Sequence, residues 1–171
     1  MGFIGKLFGG SKPPVDDTYL RLRTQALSAA TTDLSLAHDP RAPIHAVVME
    51  TGLEDAVATF VCARDGAASL YLSRGGGVIG GGQHENVRAA CLEMFSITNR
   101  YAQDFISACQ PVTTYPFPRK GQVFFYLVTD DAVYQGKGPE QALAAQQHPF
   151  SALFNNCHAV MSEVRALKEK L

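Results

Sequence analysis

The stretch AVATFVCARDGAASLYLSRGGGVIGGG, residues 56–82, decides how this chain folds. Residues 56–63 and 68–73 are rich in strand-forming types, and Asp65-Gly66 stands between them. A type I′ turn needs two residues tolerant of positive φ, so this pair is a strong signal for an antiparallel hairpin. Six of the eight positions from Gly75 to Gly82 are then glycine. Directly after them the apolar period changes. Val87, Cys91, Met94, Thr98, Tyr101, Phe105 and Ala108 recur at alternating steps of three and four, which predicts one long helix over residues 84–109 with a single buried face.

Working outward, residues 44–49 read as a strand rich in Val, followed by a turn through residues 51–54. Before it, Asp16 or Asp17 caps a helix whose stripe runs through Leu20, Ala26, Leu27, Ala30 and Leu34 to about Ala37. Asp39-Pro40 stops that helix, because the residue before proline is pushed out of helical conformation. After the long helix, strands are expected at residues 112–115, 122–129 and 132–135. Pro139 suits the first turn of a short helix, and a last helix runs over residues 150–171. The order is α-βββ-α-βββ-α. Short junctions make it an α+β fold with a single, mainly antiparallel sheet of five or six strands, helices packed on its faces.

The chain has 171 residues, the length of one domain, expected over residues 16–171 behind a flexible leader of residues 1–15. Apolar residues make up 46% and charged residues 18%, a globular balance. A formal net charge of −1 excludes a generally basic nucleic-acid binder, an acidic tail and a disordered chain. No run approaches the ~20 apolar residues of a membrane span, so no stable membrane insertion is expected. Gly2 hints at myristoylation, yet Lys6 stands where that motif wants Ser or Thr.

Chemistry is less legible. Cys62, Cys91, Cys109 and Cys157 show no CxxC spacing, and each sits in an apolar stretch. They read as reduced packing groups, which points to a reducing compartment and a cytoplasmic protein. The five histidines (38, 45, 84, 148 and 158) carry no HExxH motif, so no metal ligands are expected. No G-x-S-x-G elbow or paired-carboxylate motif nominates an enzyme, no catalytic residue is assigned and no cofactor is implied. Cys157 and His158 are adjacent, and adjacent helical residues point different ways. Tyr115, Phe117, Phe124, Phe125 and Tyr126 stand near Arg119 and Lys120, a pattern that can stack single-stranded bases but is better read as core.

Gly75, Gly77 and Gly80 satisfy G-x-G-x-x-G between a strand and a helix. The preceding strand belongs to a hairpin rather than a βαβ unit, and no acidic residue closes a second strand, so dinucleotide binding is not expected. The glycines read first as a loop that needs positive φ at several points. A secondary reading is a contact for an anion or small ligand, with Arg74, Gly75, Gly77, Gly80, Gly81, His84 and Arg88 as the candidate residues. In the last helix, Phe150, Leu153, Cys157, Val160, Val164, Leu167 and Leu171 hold a 3.5-residue period, the geometry of a helix–helix seam. Leu153, Val160, Val164 and Leu167 are therefore the expected interface residues, with Phe154 and Met161 widening the stripe toward a sheet-packed alternative.

The hairpin over residues 57–73, Gly75 to Gly77 and the long helix together resemble the roadblock/longin-type (profilin-like) domain. The similarity is one of element order and covers about residues 56–135, with helices at 16–37 and 150–171 in compatible places. The strand at residues 44–49 and the six glycines depart from that pattern. The resemblance implies a non-catalytic, dimerising scaffold that contacts small GTPases or other regulators. The expectation is an interaction module that binds itself and a protein partner, with small-ligand or anion sensing through residues 74–88 as the alternative.

Overall fold

The computed structural model describes residues 15–28 and 39–168. The leader up to residue 14, and Ala30, Leu34 and Ala37 of the expected first helix, lie outside the described residues. The fold is α+β, with one antiparallel sheet of seven strands and five α-helices among the described residues. In chain order these are α1 (Asp17–Ser28), β1 (Ile44–Gly52), β2 (Val57–Ala63), β3 (Ala68–Leu72), β4 (Gly77–Val78), α2 (Glu85–Arg100), α3 (Ala102–Ser107), β5 (Gln110–Val112), β6 (Gln122–Thr129), β7 (Val133–Pro139), α4 (Glu140–Ala144) and α5 (Ser151–Lys168). The sheet order is β4-β3-β2-β1-β6-β7-β5. The hairpin forms where Asp65-Gly66 predicts it, with Cys62 opposite Ala68 and Phe60 opposite Leu70.

Several elements differ from expectation. The glycine stretch contributes a strand, since Gly77 pairs with Tyr71 and Val78 with Leu70. The long helix breaks at Tyr101, whose backbone (φ −112°, ψ 21°) leaves the helical region and whose side chain is exposed. The strand expected at residues 112–115 lies earlier, at Gln110–Val112. β7 runs on to Pro139, so that proline ends a strand and precedes α4 rather than standing inside its first turn.

Alternation along each strand sends side chains to two differently covered faces. On one, Val47, Met49, Phe60, Cys62, Phe125 and Leu127 meet the apolar stripes of α2 and α5 in the main core. Leu153, Val160, Val164 and Leu167 belong to that core and are at most 9% exposed. The seam residues thus pack on the chain's own sheet instead of lying open on a helix surface; a 3.5-residue period suits a sheet face as well as a second helix. Cys62 and Cys91 also meet here. They form a disulfide that joins β2 to α2 with their Cα atoms 6.6 Å apart, a span suited to such a bond. This corrects the reading of both as reduced thiols. Cys109 and Cys157 are free, and burial pushes both thiols up, Cys109 to about 12.

On the other face lies α1, whose buried residues are Tyr19, Arg23 and Leu27; Leu27 is buried as the expected stripe requires, whereas Leu20 is exposed. Arg23 grips the fully buried carboxylate of Glu50 with two of its three nitrogens, Nε to Oε1 at 2.6 Å and Nη2 to Oε2 at 2.8 Å. Burial opposes the Arg23 charge, but the hydrogen bonds and charge of Glu50 outweigh it and raise the guanidinium pKa. Thr59 donates to Glu50 and shares a hydrogen bond with the Tyr19 hydroxyl. Burial, reinforced by Glu50, pushes the Tyr19 and Tyr126 hydroxyls up to about 12. The aromatic run accordingly belongs to the fold: Phe124, Phe125 and Tyr126 are buried, and Phe117 stacks on Arg23 with Cζ 4.4 Å from its ring centre.

A cleft between the glycine hairpin and the last helix

The α5 layer does not reach the end of the sheet. Thr51, Ala58 and Leu72 form one cross-strand row on the α2–α5 face. Thr51 is buried, but toward Ala58 and Leu72 the row is incompletely covered, and a cleft of about 530 Å³ lies over it. Leu53, Leu70, Val78 and Met161 complete its apolar lining, and the β3–β4 turn at Gly75, Gly76 and Gly77 closes one side. Glu140, the first residue of α4, stands at the rim with His158 and Arg165 of α5. Spacings of three and four put His158, Met161 and Arg165 on one helical strip, beside the buried stripe.

The glycines shape this cleft through the backbone. Gly75, Gly76 and Gly77 have φ values of 96°, 83° and 145°, a region that side-chain-bearing residues rarely adopt. A Cβ on Gly77 would also lie 2.2 Å from the Leu70 carbonyl oxygen, whereas one on Gly76 would meet open space. Of the seven residues expected to hold a ligand, Gly75 and Gly77 line the cleft. The other five are used elsewhere. Arg74 lies 3.6 Å from Asp55 in an exposed ion pair. Gly80 takes a left-handed conformation before the short 3-10 turn Gly81–Gln83, and Gly81 is buried against Ala68, Val87 and Val164. His84 precedes α2 and donates its backbone N–H to Gly81. Arg88 donates to the Asp65 carbonyl at 2.8 Å and so braces the hairpin turn. The G-x-G-x-x-G pattern is a steric requirement here; β4 and the 3-10 turn come between Gly77 and the start of α2.

The electrostatics of the rim are simple. Burial lowers the His158 pKa, the Arg165 charge lowers it further and Glu140 opposes both. The imidazole is therefore neutral at pH 7. Its ring packs on Phe154 at 4.3 Å between centroids, and its Nε2 is occluded without a hydrogen-bond partner. The cleft thus offers one cation, one carboxylate and a neutral ring above an apolar floor, a set suited to holding an amphipathic molecule. A second polar pair, His45 Nε2 with Asp130 Oδ1 at 2.5 Å, ties the β6–β7 turn to the start of β1.

No group of three or more His, Cys, Asp or Glu side chains among the described residues is arranged to hold a metal ion. No helix among them is long and apolar enough to cross a membrane. Comparison with protein-family models, curated proteins and solved structures gives no match to this chain.

Proposed function

We propose that this protein is a non-catalytic module that binds a small amphipathic ligand in the cleft between the β3–β4 hairpin and α5. The observation that carries this reading is the incompletely covered Ala58–Leu72 pair beneath a cleft of about 530 Å³, a volume typical of small-molecule sites. Elsewhere on that face apolar side chains are sealed under helices, so the open end stands out. The disulfide fits an oxidising setting better than the cytoplasm expected from the sequence. Alkylation of thiols before lysis decides between the two settings.

A second reading, self-association, is favoured by Ile79, which is 64% exposed beside Leu22 and Leu72 in a shallow groove next to the cleft. One experiment separates the two. Ala58 is half-buried on the cleft floor, so Ala58→Phe fills the space without deleting a core group. A thermal-shift screen of small amphipathic compounds, with sedimentation on the same samples, is run on both proteins. A ligand that binds the folded state alone raises Tm, by the equivalent of about 2.7 kcal/mol at one hundred times its Kd. Hits are expected on the wild type and not on Ala58→Phe, with a monomer throughout. Absence of any hit, or equal shifts in both proteins, overturns the ligand reading; a concentration-dependent dimer without hits supports the second.

A further inference from the structure

Glu140 and Arg165 carry opposite charges on the rim of one cleft, and both act on His158. Neither side chain makes an ion pair or hydrogen bond with a described residue. Two opposite charges that line one cleft, yet stand more than the 4.0 Å of an ion pair apart, leave a gap between them. A ligand with its own two charges at its ends spans such a gap and pairs with both. Beneath them, Leu70, Leu72 and Met161 provide apolar surface for the body of that ligand.

We infer that the cleft takes a short apolar peptide in its zwitterionic form, with the terminal carboxylate on Arg165, the terminal ammonium on Glu140 and the side chains on the floor. A dipeptide fits better than a single amino acid because it is closer in size to a cleft of about 530 Å³. The inference rests on the cleft being a ligand site.

Four probes test it by titration calorimetry against the full chain: leucyl-leucine, N-acetyl-leucyl-leucine, leucyl-leucinamide, and the doubly capped N-acetyl-leucyl-leucinamide. The uncapped dipeptide is expected to bind tightest, with each cap weakening it about fivefold, the scale of a solvent-accessible charge pair. Arg165→Met abolishes discrimination between acid and amide while keeping that between amine and acetyl. Glu140→Gln does the reverse. Both side chains stand at the rim and neither supports the core, so these variants keep the fold, which circular dichroism checks. Equal binding of all four probes overturns the inference and leaves the ligand-site reading intact. Discrimination that survives in Arg165→Met and Glu140→Gln overturns it as well. If no dipeptide binds while other compounds still shift wild-type Tm, the peptide class alone falls; if nothing binds at all, both fall together.

Discussion

On the α2–α5 face, Phe125 stacks on Phe150 with centroids 5.4 Å apart, and Phe150 stacks in turn on Phe105 at 6.0 Å. On the α1 face, a 12-residue helix turns Tyr19, Arg23 and Leu27 inward, and the middle one ends in a bidentate pair with Glu50. The first face is held mainly by apolar area, with the Cys62–Cys91 bridge across it. Each of its residues contributes a share of transfer free energy and is replaceable by another of similar volume. The second is held by geometry, because a guanidinium and a carboxylate removed from water tolerate only the arrangement that pairs them. Gly136 shows how closely the apolar face is fitted, since a Cβ there would sit 2.5 Å from the Phe150 ring. One sheet is covered by two different kinds of chemistry, and the cleft opens at the end of the apolar one.

The sharpest way to break this contrast is Arg23→Met, which leaves Glu50 buried and unpaired. Removing one member of a buried pair costs about 3–5 kcal/mol, so urea unfolding should show a loss of that size. Arg23→Met combined with Glu50→Leu should recover most of it. A single variant that loses less than about 1 kcal/mol would show that α1 is held by Tyr19 and Leu27 instead.

Next in size is the Cys62–Cys91 bridge on the opposite face. Its sequence separation of 29 residues makes reduction cost about 3–4 kcal/mol in the chain-entropy account. Denaturation with and without reductant measures this, and the mass of the unreduced protein should fall short of the reduced one by two hydrogens. Identical masses would mean that the two sulfurs pack as thiols and that this face rests on packing throughout.

The smallest effect is one of pH. Burial holds the His158 pKa below its ordinary value, so below about pH 6.5 the unfolded chain takes up a proton that the folded chain refuses. Stability therefore falls as pH drops through that value toward the lower folded pKa, and is unaffected by this group above it. Wild-type Tm should decline more steeply between pH 7 and pH 5 than that of His158→Gln. Parallel slopes would remove the imidazole from the rim's electrostatics.

What the sequence makes legible depends on whether the signal is local. Asp65-Gly66 specifies its hairpin without outside help, and β6 occupies the predicted residues 122–129 because a run of apolar and aromatic types between polar ends has few alternatives. Gly77 and Val78 form a strand that no periodicity announces, since a glycine carries no side chain to alternate. Tyr101 keeps the helical spacing while its backbone leaves the helix, so the break between α2 and α3 is silent in the pattern. The stripe of α5 is legible as apolar, but its partner is not, because a sheet and a second helix ask for the same spacing. Only Gly75 and Gly77 of the cleft were visible beforehand; Ala58, Glu140 and Arg165 come from three separate elements and meet through topology. One unused signal was Glu50, an acid that continues the apolar run of the strand IHAVVMETG, which demanded a cation from somewhere else in the chain.

The sheet also narrows toward both ends: β4 holds only Gly77 and Val78, and β5 only Gln110, Pro111 and Val112. An incoming strand from another molecule meets a terminal strand of only two or three residues, and on the β5 side a proline with no N–H to donate. Fibril growth by strand addition is therefore checked at both margins, which matters for a chain whose net charge of −1 gives it little colloidal repulsion. Short margins of this kind should slow strand-to-strand aggregation at high concentration.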